Sequence, residues 1–268
     1  MIRIYDMTQR EEWDGIVRSF SQHDVYYLSG YVHAFQIHGD GEPQLLFYEA
    51  DGLKAIYVYM KRKTDIEGLY DSVTPYGYGG VLFEGDTSED KLQVFWRDYV
   101  SKMRALNIVD NFVRYHPVLR NSEHMSKVSQ VIDLGKTIAI DLLSKDIIWN
   151  NFTSKNRNHI RKAINSGVEI FHGKGMKLFN DFERIYNLTM DKDHATDYYY
   201  FNKEFYHSIH GDLFDNYEIF YATYNGSIIA MSIMLFANNY MHYHLSGALY
   251  EYRNIAPTNL LLYEAAVW

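Results

Sequence analysis

A hairpin written twice is the feature that most constrains this chain. Leu46 to Met60 holds two β-rich runs around Asp51-Gly52, and Phe220 to Leu235 repeats the pattern around Asn225-Gly226. Asp-Gly and Asn-Gly supply the residues that a tight hairpin turn needs, so each stretch predicts an antiparallel pair. After the first hairpin come an aromatic, Gly-rich strand end (Tyr70 to Gly80), an amphipathic helix and a strand, Ile108 to Tyr115. After the second come a strand, Tyr240 to Gly247, and a helix from Pro257, and there the sequence stops. The two series predict a duplicated α+β unit whose second copy lacks its last strand.

The 268 residues, 47% of them apolar, suffice for one or two sizeable cores, and the repeat divides them at 1–134 and 135–268. No Pro/Gly/Ser-rich linker separates the halves. There is no Cys, which removes disulfide frameworks, zinc knuckles and thiol nucleophiles and fits a reducing, cytoplasmic compartment. Met1 to Met7 runs into a polar helix start without the apolar core of a signal peptide. The longest apolar run, Ile228 to Ala237, falls well short of the ~20 residues that span a bilayer and reads as a buried strand, so any membrane contact is expected to be peripheral. A net charge of −8 and a pI near 5.8 exclude a surface built wholly for nucleic acid, while leaving room for a local basic patch. The 25 Tyr exceed what a core needs, and Tyr brings flat contact area plus a hydroxyl to binding surfaces. Nothing in the sequence fixes an oligomeric state.

Local signals place the elements. Thr8 to Glu11 reads as a capping box for a helix with Trp13, Ile16, Val17 and Phe20 on one face. His23 to His38 is helix-like and receives no role. Asp71 to Gly80 is a shaped loop, because Pro75 and its glycines forbid regular structure. Thr87 to Asp90 caps a helix whose Leu92, Phe95, Trp96, Tyr99, Val100, Met103 and Leu106 recur at helical spacing. Thr137 to Leu142 alternates like a strand, and one helix is predicted from Ser144 to Gly167. Val168 to Phe171 is a short strand. Helices over 177–194 and 202–214 flank the aromatic segment Asp197 to Phe201.

Four groups of residues could carry chemistry. In the helix that holds Lys155 to Ala163, Ile160 and Ile164 mark the buried face and Arg157 and Arg161 emerge beside it. Two forks at i and i+4 suit a phosphate or carboxylate, or alternatively complement the dipole of a last helical turn. Strand alternation puts His242 and His244 on one face. They could ligate a metal, but no third ligand is identifiable, so no metal site is assigned, and both are expected to be hydrogen-bond donors lining a cleft or else simply exposed. His116, at a strand end before Pro117, is a candidate general base because its ordinary pKa lies near physiological pH. Walker, GxGxxG, GxSxG and HExxH motifs are absent. The turn Leu249 to Pro257 before the last helix lacks the glycines with which an acetyl-CoA enzyme of such an architecture would cradle a pyrophosphate.

Taken together, Thr74 to Gly80, Thr137 to Leu142, Trp149, Lys155 to Ala163, Phe182 to Tyr186, Tyr198 to Phe201, His242 to Gly247 and Ala256 to Leu261 resemble the FemABX-like branch of the GNAT acyltransferase superfamily. The resemblance implies two tandem GNAT-like halves with mixed sheets and a cleft between them. It also implies transfer of an amino acid from aminoacyl-tRNA to an amine of a peptidoglycan precursor, with no cofactor. Arg114 to Pro117 sits where the family has an Arg-x-Asp-Pro strand end, with His116 at the acidic position. Tyr76 and Tyr78 fall in the loop bordering the acceptor cleft, His242 and His244 on the strand that lines it, and Arg157 and Arg161 suit its anionic end. Tyr200 in the aromatic segment joins the expected substrate-binding set, and His116 and His244 form the expected catalytic pair. The helical arm that serves tRNA in better-understood members, and the family's late Lys, have no counterpart here.

The expected function is amide formation by a cytoplasmic aminoacyl- or acyltransferase acting on a peptidoglycan or surface-polysaccharide precursor. Two alternatives stand beside it: an acyl-CoA-dependent N-acyltransferase on a nucleotide sugar or polysaccharide precursor, and a catalytically inactive GNAT-like binding module. The apolar last helix, Leu260 to Trp268, without a cap or polar tail, suggests a fragment.

Overall fold

The computed structural model describes residues 1–268 and divides into two compact units, Met1–Thr137 and Ile138–Trp268. The first contains β1 (Ile2–Tyr5), α1 (Arg10–Ser19), α2 (Ser29–His38), β2 (Glu42–Ala50), β3 (Leu53–Lys63), β4 (Tyr70–Val73), β5 (Leu82–Gly85), α3 (Glu89–Ala105), β6 (Ile108–Phe112) and a short α4 (Ser122–Met125). Its sheet runs β1-β2-β3-β4-β6, antiparallel except for the parallel pair β4–β6. The long strand β3 has two partners on one edge: Leu53 to Ile56 pairs with β5, and Met60 to Lys63 pairs with β4. The chain between those partners, residues 74–81, is thereby held as a loop against the end of β6. Leu46, Tyr57, Tyr59, Leu92 and Phe95 form the core between sheet and α3.

The second unit contains α5 (Lys145–Asn151), α6 (Ser154–Asn165), β7 (Glu169–Gly173), α7 (Met176–Lys192), α8 (Lys203–Asp212), β8 (Tyr217–Tyr224), β9 (Ser227–Ala237), β10 (Tyr240–Ala248) and α9 (Pro257–Val267). Its four strands run β10-β9-β8-β7, all antiparallel. Both hairpins form at the expected dipeptides: Asp51-Gly52 and Asn225-Gly226 all have positive φ, which Asn, Asp and Gly tolerate best. Strand β9 is buried from Ile229 to Leu235, as its apolar run requires.

Several local expectations are corrected. The capping box at Thr8 does not form. Asp6 instead accepts from the Thr8 amide at 2.8 Å to cap a 3-10 turn that feeds α1, whose own N-cap, Gln9, makes no side-chain bond. Ser88 likewise precedes α3 without a side-chain cap. Thr137 to Leu142 joins no sheet; Ile140 packs on the second core while Ile138 stays exposed. The single helix over 144–167 is two. Ser144 caps α5 as expected, but Phe152 and Thr153 turn extended, and Thr153 Oγ1 accepts from the Asn156 amide at 3.3 Å to start α6 afresh. With the phase reset, Ile160 and Ala163 are buried and Ile164 is 53% exposed.

The apolarity of α9 has a tertiary cause. It packs on β8 and β9 with one side while α5 and α6 cover others, so Leu260, Leu261, Tyr263 and Ala265 are all buried. A helix enclosed on several sides is apolar all round, which says nothing about where a polypeptide ends. No helix is long and apolar enough to cross a membrane.

Candidate functional site

In the first unit the loop after β4 is laced to the chain after β6. The Thr74 amide donates to Phe112 O (3.1 Å), the Gly79 amide to Arg114 O (2.8 Å), and the His116 amide to Gly79 O (3.1 Å), which continues the parallel pairing past the strand ends. Side chains complete the tie. Asn121 Nδ2 donates to Gly79 O at 2.8 Å, Tyr27 donates to Gly80 O at 3.0 Å, and the Tyr31 hydroxyl donates to Tyr76 O. The Tyr76 ring stacks on Phe35 with centroids 5.5 Å apart, so Tyr76 is a packing residue of this loop. Tyr78 stands differently: its hydroxyl reaches Thr137 Oγ1 at 3.2 Å and its ring leans on Tyr26 and His116.

His116 is buried, and both its ring nitrogens are engaged. Nδ1 accepts from the Leu119 amide at 3.1 Å and therefore carries no proton. Nε2 then carries it and donates to Asp24 Oδ2 at 2.8 Å. Asp24 Oδ1 accepts from the Val25 amide. A ring locked at both ends orients its turn and is poorly placed to take a proton from a substrate, which runs against the expected role as general base. Asp24 lies in the stretch 23–38 to which no role was given. Burial and the Asp24 carboxylate push the Tyr26 and Tyr27 phenols well above their ordinary range, so both remain donors.

Beside this turn a cavity of about 1030 Å³ opens, lined by β3, α3, the end of β6 and the chain from Ser122 to Thr137. Tyr57, Tyr78, Trp96, Tyr99 and Tyr115 make its walls aromatic, and its charged groups are of both signs: Arg114, Arg120 and Lys136 against Glu123 and Asp133, with Arg120 paired to Glu123 at 2.6 Å. Arg120 and Lys136 are exposed and Arg114 is half-buried, donating to Gly77 O at 3.3 Å. The size is that of a site for a nucleotide- or peptide-sized ligand.

In the second unit, the Arg157 guanidinium closes the end of α5. Nη1 donates to Phe152 O at 2.5 Å, with the Trp149 and Asn150 carbonyls at 3.4 and 3.5 Å, and Nη2 reaches Ser154 Oγ at 3.3 Å. These are the orphan carbonyls of a helix terminus, so Arg157 acts as a cap across the α5–α6 break rather than as an open anion fork. Arg161 is exposed, lies over Trp149 at 5.1 Å and bonds Asn158 Oδ1 at 3.2 Å. Arg157→Ala is expected to destabilise this unit by about 1.5 kcal/mol, the worth of charge-assisted hydrogen bonds, and Arg161→Ala by under about 0.5 kcal/mol. Equal denaturation midpoints for the two variants would refute the cap.

The alternation expected of β10 breaks at a bulge. Tyr243 opposes Met234 and Leu245 opposes Ile233, leaving His244 as the extra residue. Burial, reinforced by His242, pushes His244 down to about 3, so its ring is neutral at physiological pH and a weak base. Tyr200 donates to Asp191 Oδ1 at 2.7 Å, tying the aromatic turn to the end of α7.

Residues 154–268 match the family model described as an acetyltransferase (GNAT) domain. Among solved structures, FemX superposes with a TM-score of 0.69 at 12% identity, over 98% of this chain and 85% of its own. The fold is FemX-like, and the second unit carries a GNAT domain. The C-terminal domain of a protein assigned as a lysylphosphatidylglycerol synthetase from Agrobacterium fabrum follows at 0.59 and 13% identity, over 97% of this chain and 73% of that one. A conserved protein of unknown function from Bacteroides thetaiotaomicron VPI-5482 gives 0.57 at 13% identity, over the whole of this chain and 86% of that one. No curated protein matches the sequence.

Within the GNAT domain, the turn ahead of α9 is a 3-10 helix, Tyr250–Ile255, with Arg253 folded over the Tyr250 ring at 3.9 Å. Ala256 takes a left-handed conformation, and Pro257 opens α9 without an N–H. That helix start offers fewer bare amides to a pyrophosphate than a Gly-rich loop would.

Proposed function

We propose that the chain transfers an activated acyl or aminoacyl group to an amine on a cell-envelope precursor, and that the acceptor is held in the cavity of the first unit. The observation that carries this reading is the cavity itself, aromatic-walled, with charged groups of both signs at its exposed side, and bordered by the Tyr78 loop that the family resemblance assigns to the acceptor. Likeness to FemX over 98% of the chain supports it, and the A. fabrum relative is by its name concerned with making lysylphosphatidylglycerol.

A neutral amine attacks the ester carbonyl, the new C–N bond forms, and the ester oxygen leaves with a proton. Such a reaction asks mainly for orientation, proton removal and stabilisation of the developing oxyanion. With both His116 nitrogens engaged and His244 a weak base, orientation by the cavity is assigned the larger share, and His116 is proposed as a positioning residue for the Tyr78 side of the cavity. The turn at 250–257 favours an aminoacyl-tRNA donor over acyl-CoA. The acetyltransferase description of the matched family model favours the CoA-dependent alternative.

Calorimetric titration with a UDP-linked muramyl-peptide and with acetyl-CoA separates these readings. Saturable binding of the muramyl-peptide alone is expected. Binding of acetyl-CoA alone would transfer the assignment to an acyl-CoA enzyme, and silence from both would favour an inactive binding module.

A further inference from the structure

At the floor of the first unit's cavity three side chains from three elements form one hydrogen-bonded chain. Tyr57 of β3 donates to Asn111 Oδ1 at 2.7 Å, and Asn111 Nδ2, on β6, donates to the Tyr99 hydroxyl on α3. All three line the cavity, and both phenols are almost fully buried. One carboxamide between two hydroxyls fixes the proton count. Its oxygen accepts from one phenol, and its N–H fills a lone pair of the other, whose own O–H must then point elsewhere. Turning the amide over only exchanges the two phenols. In the arrangement found, the remaining O–H belongs to Tyr99, and the cavity is the open space beside it.

We infer that Tyr99 is a polar reader at the floor of this cavity, donating its hydroxyl hydrogen to a neutral carbonyl oxygen of the bound acceptor, with Asn111 and Tyr57 fixing its direction. This rests on the reading of the cavity as the acceptor site. Burial pushes the phenols of Tyr57 and Tyr99 up, with Asn111 opposing, so both stay protonated donors. The choice of a neutral partner follows from placement. Of the charged groups that line the cavity, Arg120 is paired with Glu123 at 2.6 Å, Asp133 and Lys136 are exposed and Arg114 is half-buried, so a charge carried down to the aromatic floor would be desolvated at a cost that a neutral carbonyl avoids. The ligand class is therefore one with an amide or other neutral carbonyl for the floor and a polar or charged end for the exposed side.

Tyr59 is the internal control. It stacks on Tyr57 at 5.2 Å, but its hydroxyl is spent on Gln44 Oε1 at 2.6 Å and it does not line the cavity. Two measurements test the inference. First, in the full chain labelled with ring-13Cζ tyrosine, the Tyr99 signal is identified by its loss in Tyr99→Phe and followed during titration with N-methylacetamide and, separately, with acetate. A saturable shift of Tyr99 that is larger for the amide, with Tyr59 unmoved, is expected; no shift, or a larger one with acetate, would overturn the inference. Second, Tyr99→Phe is expected to weaken muramyl-peptide binding about tenfold, the loss of a hydrogen bond from a desolvated partner, and Tyr59→Phe to leave it unchanged. Equal losses in both variants would reduce Tyr99 to a packing residue. If the muramyl-peptide binds neither variant nor the native chain, the acceptor reading fails while the amide titration still decides the donor.

Discussion

Alanine in place of His116 is expected to destabilise the first unit by about 1.5–3 kcal/mol, because it takes away the imidazole N–H that donates to the Asp24 carboxylate in a buried site. The same cut removes the acceptor of the Leu119 amide and loosens the turn that carries Asn121, whose side chain holds the Gly79 carbonyl. Asp24→Asn separates charge from geometry. The asparagine oxygen must stay with the Val25 amide, which turns its NH2 group toward the protonated Nε2 of His116, donor against donor. Asn should therefore rescue little of the loss. Native-state hydrogen exchange at the amides of β3 measures this unit by itself. Protection in Asp24→Asn close to the native chain would mean that the pair is not the constraint described here, and unchanged protection in His116→Ala would dismiss it altogether.

Alanine at Gly247 is expected to cost the second unit about 3 kcal/mol, the upper end for an overpacked site. A Cβ there would lie 2.7 Å from Tyr186 Cα and 2.8 Å from both Ile185 O and Tyr186 N, so the obstacle is the backbone of α7 and not a side chain that could rotate away. Thr189 bonds the next residue from the same helix, its Oγ1 accepting from the Ala248 amide at 3.0 Å, which leaves β10 little room to withdraw. The contact is absent from the sequence pattern, since Gly247 reads there only as the end of an alternating strand. Exchange at the β9 amides, together with the unfolding midpoint, gives the answer: a loss below about 0.5 kcal/mol, the level of an unconstrained surface site, would show that strand and helix are not locked at this point.

Most of the fold was legible because its strongest signals are local. The Asp-Gly and Asn-Gly turns fixed both hairpins, the apolar run of β9 fixed a buried strand, and the spacing of Leu92, Phe95, Tyr99 and Met103 fixed the buried face of α3. Errors arose where a local pattern needed a partner that the sequence does not name. Thr137 to Leu142 alternates as a strand would and yet joins no sheet. The break at Phe152-Thr153 was available in principle, since Thr153 is a good N-cap, but a continuous run of polar and apolar residues hid it. The bulge at His244 shifted the ladder by one residue and with it the simple assignment of strand faces.

The candidate site divides along the same line. The sequence by itself determined the duplicated hairpins, the absence of thiol chemistry, the acyltransferase-like order of elements and the irregular course of the Tyr78 loop, since each depends on residue identity and short spacing. Only the tertiary structure decided that Asp24 holds His116, that Arg157 caps α5, that Gly247 lies against α7, and that Tyr57, Asn111 and Tyr99 meet at one cavity floor. Asp24 and His116 are 92 positions apart, and Tyr57 and Asn111 are 54. Periodicity decays within a few turns of backbone, whereas desolvation and hydrogen-bond direction act only between groups that folding has already brought together.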